Sequence, residues 1–332
     1  VRVVCAVLLL LLLPVGARST AYAAPGGLGV RLINGTPGAA GTVDLPLTVY
    51  QVDGTTLQPV AAGRSDTQSA FEWAALSGPV DARYVISTTY QGVAYRTDPA
   101  TLPAPAVTLR VYEATDDDTA IRIATAGQVI VSVDADRQQI TVLETITLRN
   151  SGPRTFRPST AGPRGPMGLL RFGLPGGAGN LTPDSRLAGQ SVIQVNTGFA
   201  TDLPLPPGDT TVGYRYDVAY GALEEGGYAA LTKTLPYTVD QVRVLAPPAA
   251  YTLRSPQLGA ATTTTVGSRT YRLLQGTDLP PHSEVTVELR NLPLNQPLLR
   301  PSNPWLQGIV GLLLLGAVSL PLGYRRRRGP AL

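Results

Sequence analysis

Few side chains in this sequence are equipped for chemistry. Its 332 residues include one cysteine (Cys5), one histidine (His282) and one methionine (Met167). A disulfide scaffold, a zinc cluster and a Cys–His or Ser–His–Asp enzyme of the familiar kind are excluded on that count. His282 stands in Pro280-Pro281-His282-Ser283 with no second imidazole or thiol to share a ligand or base role, and reads as an exposed turn residue. Carboxylates remain. Asp116, Asp117 and Asp118, with Asp134 and Asp136, are the densest groups and the candidates for calcium, which takes about six to eight oxygens. Their spacing matches no EF-hand loop, so solvated acidic turns are the first expectation.

Glu144 falls on the apolar face of an alternation with Ile140, Val142, Ile146 and Leu148. Buried there it would need an Arg partner or a raised pKa, so a bulge carrying it into solvent is expected. Glu224 and Glu225 are neighbours on one loop and do not make the opposed pair that glycoside hydrolysis requires. Gly176-Gly177-Ala178-Gly179 lacks the lysine and following helix of a phosphate loop. No catalytic residue and no cofactor site is predicted. The binding candidates are aromatic: Phe71, Trp73, Tyr90 and Tyr95, which would stack on a glycan if exposed and join a core if not. Tyr214, Tyr216 and Tyr220 pose the same choice.

The elements that must position these groups are strands. Period-two alternation recurs through residues 28–292, and no helical stripe interrupts it. Val129, Val131 and Val133 share one face; Val212, Tyr214, Tyr216, Val218 and Tyr220 share another; Val285, Val287 and Leu289 a third. With 35 glycines and 30 prolines, the composition suits short strands joined by turns. The expected fold is all-β: two tandem antiparallel β-sandwiches, residues 26–112 and the larger 119–292, joined by an acidic linker at 113–118.

The first of these opens with Gly29-Val30-Arg31-Leu32-Ile33-Asn34-Gly35-Thr36 and closes with a Tyr84–Tyr95 hairpin and a strand from Val107 to Tyr112. In that order of elements it resembles the carboxypeptidase regulatory-like, transthyretin-like modules of prokaryotic surface proteins. The resemblance implies a non-catalytic sandwich.

The ends address the chain to a membrane. Arg2, an apolar run from Val3 to Leu13 and Ala21-Tyr22-Ala23 have the layout of a secretory signal peptide, predicted over residues 1–23, which contains Cys5. Trp305 to Tyr324 is twenty residues without a charge, about 30 Å as a helix and enough to span a bilayer. It follows a linker at 293–304 and precedes a tail, 325–332, that begins with the stop-transfer cluster Arg325, Arg326, Arg327 and Arg328. The segment resembles the sorting signals of Gram-positive surface proteins, but Leu292-Pro293-Leu294-Asn295-Gln296 lacks their Thr-Gly. The positive-inside rule places the bulk outside the cell and the tail in the cytoplasm.

The net charge of +4 comes from these ends, because outside Arg2, Arg18 and the four tail arginines 21 basic residues face 23 acidic ones. Nucleic acid is therefore not an expected partner. Val1 and a cation set of 26 arginines against the single Lys233 suggest a prokaryotic, GC-rich source. The expected function is binding or scaffolding of a protein or cell-envelope polymer. The alternatives are a glycan-acting envelope enzyme with a carboxylate-only site and an accessory subunit of a membrane complex.

Overall fold

A computed structural model describes residues 26–294, apart from 55, 77, 80, 103, 162–167, 185, 188, 196, 224, 225 and 250. The expected signal peptide, the 305–324 span and Arg325–Arg328 lie outside the described residues, as do Glu224 and Glu225. The described chain is all-β and forms several sheets, with no α-helix. Among the described residues no helix is long and apolar enough to cross a membrane. Two compact units divide at Val111 and Tyr112.

In the first unit, one sheet has the order β4 (Ala70–Leu76), β1 (Gly26–Asn34), β8 (Ala104–Val111). A second runs β3 (Thr56–Arg64), β2 (Pro46–Asp53), β5 (Arg83–Tyr90), β6 (Val93–Arg96), with β7 (Ala100–Thr101) also paired to β5. Leu28, Val30 and Leu32 on β1 and Leu47 and Val49 on β2 turn alternate side chains into the core, as the pleat requires.

In the second unit the largest sheet has seven strands. Their order is β14 (Gly179–Pro183), β17 (Gly208–Ala219), β11 (Gln139–Asn150), β10 (Ile121–Asp134), β20 (Val239–Ala246), β23 (Arg269–Leu279), β22 (Thr262–Val266). A four-stranded sheet follows the order β18 (Gly221–Leu223), β19 (Gly226–Leu235), β24 (Ser283–Leu292), β21 (Thr252–Arg254). A small sheet of β13 (Leu170–Gly173), β16 (Gly198–Thr201) and β15 (Val192–Val195) leaves β15 at its edge. Within the segment read as a linker, β9 (Ala114–Thr115) pairs with β12 (Thr155–Phe156).

The sheets are not purely antiparallel, as the alternation suggested. Among the described residues three pairs are parallel: β1 with β8, β10 with β20 and β9 with β12. Each is joined by a chain long enough to cross over, which a parallel pair needs and a hairpin does not. The face shared by Val129, Val131 and Val133 also fails. The register of β10 slips between Ile130 and Ser132, so the buried side chains are Ala126, Gln128, Ile130 and Val133. One extra residue reverses which side of the strand is in. On β17 the alternation holds, and Val212, Tyr214, Tyr216 and Val218 are all buried.

Candidate functional site

Two places in the second unit bring chemistry together. The first is inside the core. Gln128 on β10, Glu144 on β11 and Tyr214 on β17 stand in register across three adjacent strands, so their side chains form one row on the inner face of the seven-stranded sheet. From the facing four-stranded sheet, β19 turns Ala229, Leu231, Lys233 and Leu235 inward. Lys233 thus meets the row from the other side. Its Nζ donates to Glu144 Oε1, and the two side chains are 3% and 0% exposed. The other carboxylate oxygen, Oε2, accepts from Gln128 Nε2 at 3.2 Å and from the Tyr216 hydroxyl at 3.3 Å. The Tyr214 hydroxyl is buried in the same layer, facing the Glu144 charge.

Glu144 is therefore not carried into solvent. There is no irregularity in β11 at that position, its partner is a lysine, and three hydrogen bonds supply what burial removes. The signal that could have found the site was the sole lysine, itself at an inward position of an alternating segment.

Burial raises the Tyr216 and Tyr214 hydroxyls well above the usual tyrosine range, and the Glu144 charge adds to this. Tyr237 and Tyr251 are also raised, chiefly by burial. A folded-state pKa above the unfolded one contributes stability that is complete below the unfolded tyrosine value of about 10 and is lost as pH rises beyond it. The second unit should accordingly unfold in alkali, seen as loss of far-ultraviolet circular dichroism as pH rises beyond about 10. Tyr216→Phe should move that alkaline midpoint to higher pH relative to neutral stability. An alkaline midpoint that does not move in Tyr216→Phe, relative to neutral stability, would refute this.

The second place is a cavity of about 330 Å³ beside the small sheet. Phe172, Phe199, Ile193 and Val195 form apolar walls, and Arg171 and His282 contribute polar groups. Phe172 and Phe199 stack at 4.8 Å, and Tyr214 makes T-shaped contacts with both rings. Ile193 and Val195, on the edge strand β15, are 50% and 58% exposed. Arg171 Nε is buried and has no hydrogen-bond partner among the described residues. His282 is exposed, as expected, in a turn where its φ is 62° and its N–H donates to the Leu235 carbonyl.

The residues singled out from sequence lie elsewhere. Trp73 is buried in the first unit, its Nε1 donating to the Ala62 carbonyl at 3.2 Å and its ring meeting Phe71 edge-on at 4.8 Å. Tyr95 is buried, and the Tyr90 hydroxyl accepts from Asn34 Nδ2. Burial of Trp73 and Tyr95 assigns those two rings to packing, since a stacking platform must be open to its sugar. Asp134 Oδ1 accepts from the N–H groups of Asp136 and Arg137 and so closes the β10–β11 turn, while Asp117 Oδ1 accepts from Thr119 N–H. Among the described residues no three His, Cys, Asp or Glu side chains are grouped to hold a metal ion.

No family model matches the chain, and no curated protein does. Among solved structures, an M1 zinc metallopeptidase from Deinococcus radiodurans aligns at 11% identity and a TM-score of 0.30, over 51% of this chain and 42% of that one. The chain thus spans less than half the length of that peptidase. The major pilin SpaD from Corynebacterium diphtheriae aligns at 10% identity and a TM-score of 0.19, over 84% of this chain and 88% of that one. An acetylcholine-binding protein from Bulinus truncatus gives 8% and 0.17, over 52% and 89%. Likeness of this size assigns neither a family nor an activity.

Proposed function

We propose that the chain is a membrane-anchored extracytoplasmic binding or scaffold protein of a prokaryotic cell envelope, without catalytic activity. Its tandem β-sandwiches, the first of them carboxypeptidase regulatory-like, stand outside the membrane after removal of a signal peptide. The 305–324 helix anchors them, and Arg325–Arg328 hold the tail in the cytoplasm. The observation that carries the binding reading is the cavity beside β15. Two large aliphatic side chains, Ile193 and Val195, are about half exposed on an edge strand, next to stacked phenylalanines and a guanidinium nitrogen with no partner among the described residues. An edge strand offers backbone hydrogen bonds to an added strand, and an apolar pocket beside it selects a side chain. The occupant is an extended protein segment with an apolar residue for the pocket and an acceptor for Arg171.

The test is capture from mildly solubilised native membranes, comparing the full chain with Ile193→Glu/Val195→Glu. A stoichiometric protein partner should be retained by the first and weakened about tenfold or more in the second, as for residues at the centre of an interface. Equal capture by both would move binding off this face. Capture of envelope glycan in place of protein would move the function to polymer recognition.

A further inference from the structure

The mechanism of binding makes no use of the buried Lys233–Glu144–Gln128 cluster, yet it is the most unusual chemistry in the chain. Of 27 cationic residues 26 are arginine, and the one lysine sits at 3% exposure against a carboxylate. Arginine is the better partner for a buried ion pair, with a planar fork of donors and a charge it does not give up. Lysine offers one property arginine lacks. Once deprotonated, its amine is a nucleophile. The carboxylate beside it is placed as a relay between that amine and an amide: Oε1 accepts from Lys233 Nζ, and Oε2 accepts from the leaving-group nitrogen, Gln128 Nε2. Cross-strand register fixes Gln128 next to Glu144, and the facing sheet delivers Lys233.

We infer that this cluster is self-reactive, joining Lys233 to Gln128 through an amide bond that ties the two facing sheets together. Glu144 takes one proton from the Lys233 ammonium. The freed lone pair forms an Nζ–Cδ bond with Gln128, and the carbonyl electrons move to Oε1 of Gln128. The hydroxyl that borders the reacting amide is that of Tyr216, which accepts from Gln128 Nε2 at 3.4 Å. Glu144 returns its proton to Nε2, the Cδ–Nε2 bond breaks with its electron pair on nitrogen, and ammonia leaves. The proton remaining on the new amide nitrogen passes to Glu144. In balance, an ammonium, a carboxylate and a primary amide become a secondary amide, a carboxylic acid and ammonia, with no oxidant or co-reactant. Two buried charges disappear in the process, which a low-dielectric core favours. With the single cysteine at position 5, no disulfide could tie these residues.

The test is mass spectrometry on the purified full chain, denatured and digested with trypsin. The expected species joins peptide 123–137, which holds Gln128, to peptide 216–243, uncut at Lys233, at one ammonia less than their sum. Glu144→Gln, which keeps both reacting side chains, should yield the separate linear peptides; a cross-link surviving in that variant would remove Glu144 from the relay. Linear peptides 123–137 and 216–233 as the sole forms in the unaltered chain would overturn the inference and leave an ion pair. A species one water lighter that joins 138–149, the peptide of Glu144, to 216–243 would overturn Gln128 as the acyl donor.

Discussion

Lys233→Met should be the most damaging single substitution in the second unit. Removing one partner of a buried pair leaves the other uncompensated, at a cost of about 3–5 kcal/mol. Glu144 would keep Tyr216 and Gln128 but lose the cation beside it, in a layer walled by Val142, Ile146 and Leu231. With the amide formed the pair is already neutral, and the loss is instead that of the covalent tie. A link between residues 128 and 233 closes a loop of about a hundred residues, and the chain-entropy treatment of such a closure gives about 4.7 kcal/mol. Denaturant unfolding separates the two. The variant Lys233→Met/Glu144→Gln has no buried charge, so an ion pair alone predicts stability near that of the unaltered chain. The amide predicts that the double variant stays several kcal/mol below it. Full recovery in the double variant would count against the covalent tie.

That core cluster also marks where a sequence reading stops. The alternation on β17 and β24 was legible because one face is uniformly apolar, and Val285, Val287 and Leu289 are buried as the pattern requires. On β10 it misled, since a bulge shifts the inward set by one residue and no turn residue in Val129-Ile130-Val131-Ser132 announces it. The alternation puts Glu144 on the apolar face, but the partner that lets it stay there lies 89 residues on, in a different sheet. β19 itself gave a thin signal: alanine, threonine and one lysine make a pattern that only a known partner turns into a strand. Parallel pairs were invisible for a related reason. Period two reports which side chains face inward, not the direction of the neighbour. The cavity, built from Arg171, Ile193 and His282 on three separate segments, has no local motif at all.

Gly173→Ala should be the second large loss, and it reaches the cavity as well as the fold. β13 and β16 pair glycine with glycine, Gly173 opposite Gly198, and the missing side chains let backbones approach. A Cβ on Gly173 would lie 2.0 Å from the carbonyl oxygen of Thr234, and one on Gly198 would lie 2.2 Å from that of Phe172. Neither obstacle is a side-chain tip that can swing aside. Thr234 follows Lys233 on β19, so its backbone is held by the same strand that carries the buried amine. The small sheet would have to lift away, opening Phe172 and Phe199 and widening the cavity they line. Overpacking of this kind costs about 3 kcal/mol. For a unit of this size that corresponds to a fall in Tm of about 6–12 °C. Gly176→Ala is the control, since a Cβ there meets nothing within 4 Å and the residue lies in the turn just beyond β13. A thermal melt of the two variants beside the unaltered chain decides the matter. Equal midpoints for Gly173→Ala and Gly176→Ala would mean that the close approach of β13 to β19 is not what seats the small sheet. A large loss confined to Gly173→Ala, with capture of the partner reduced in parallel, would tie the cavity's shape to that backbone contact.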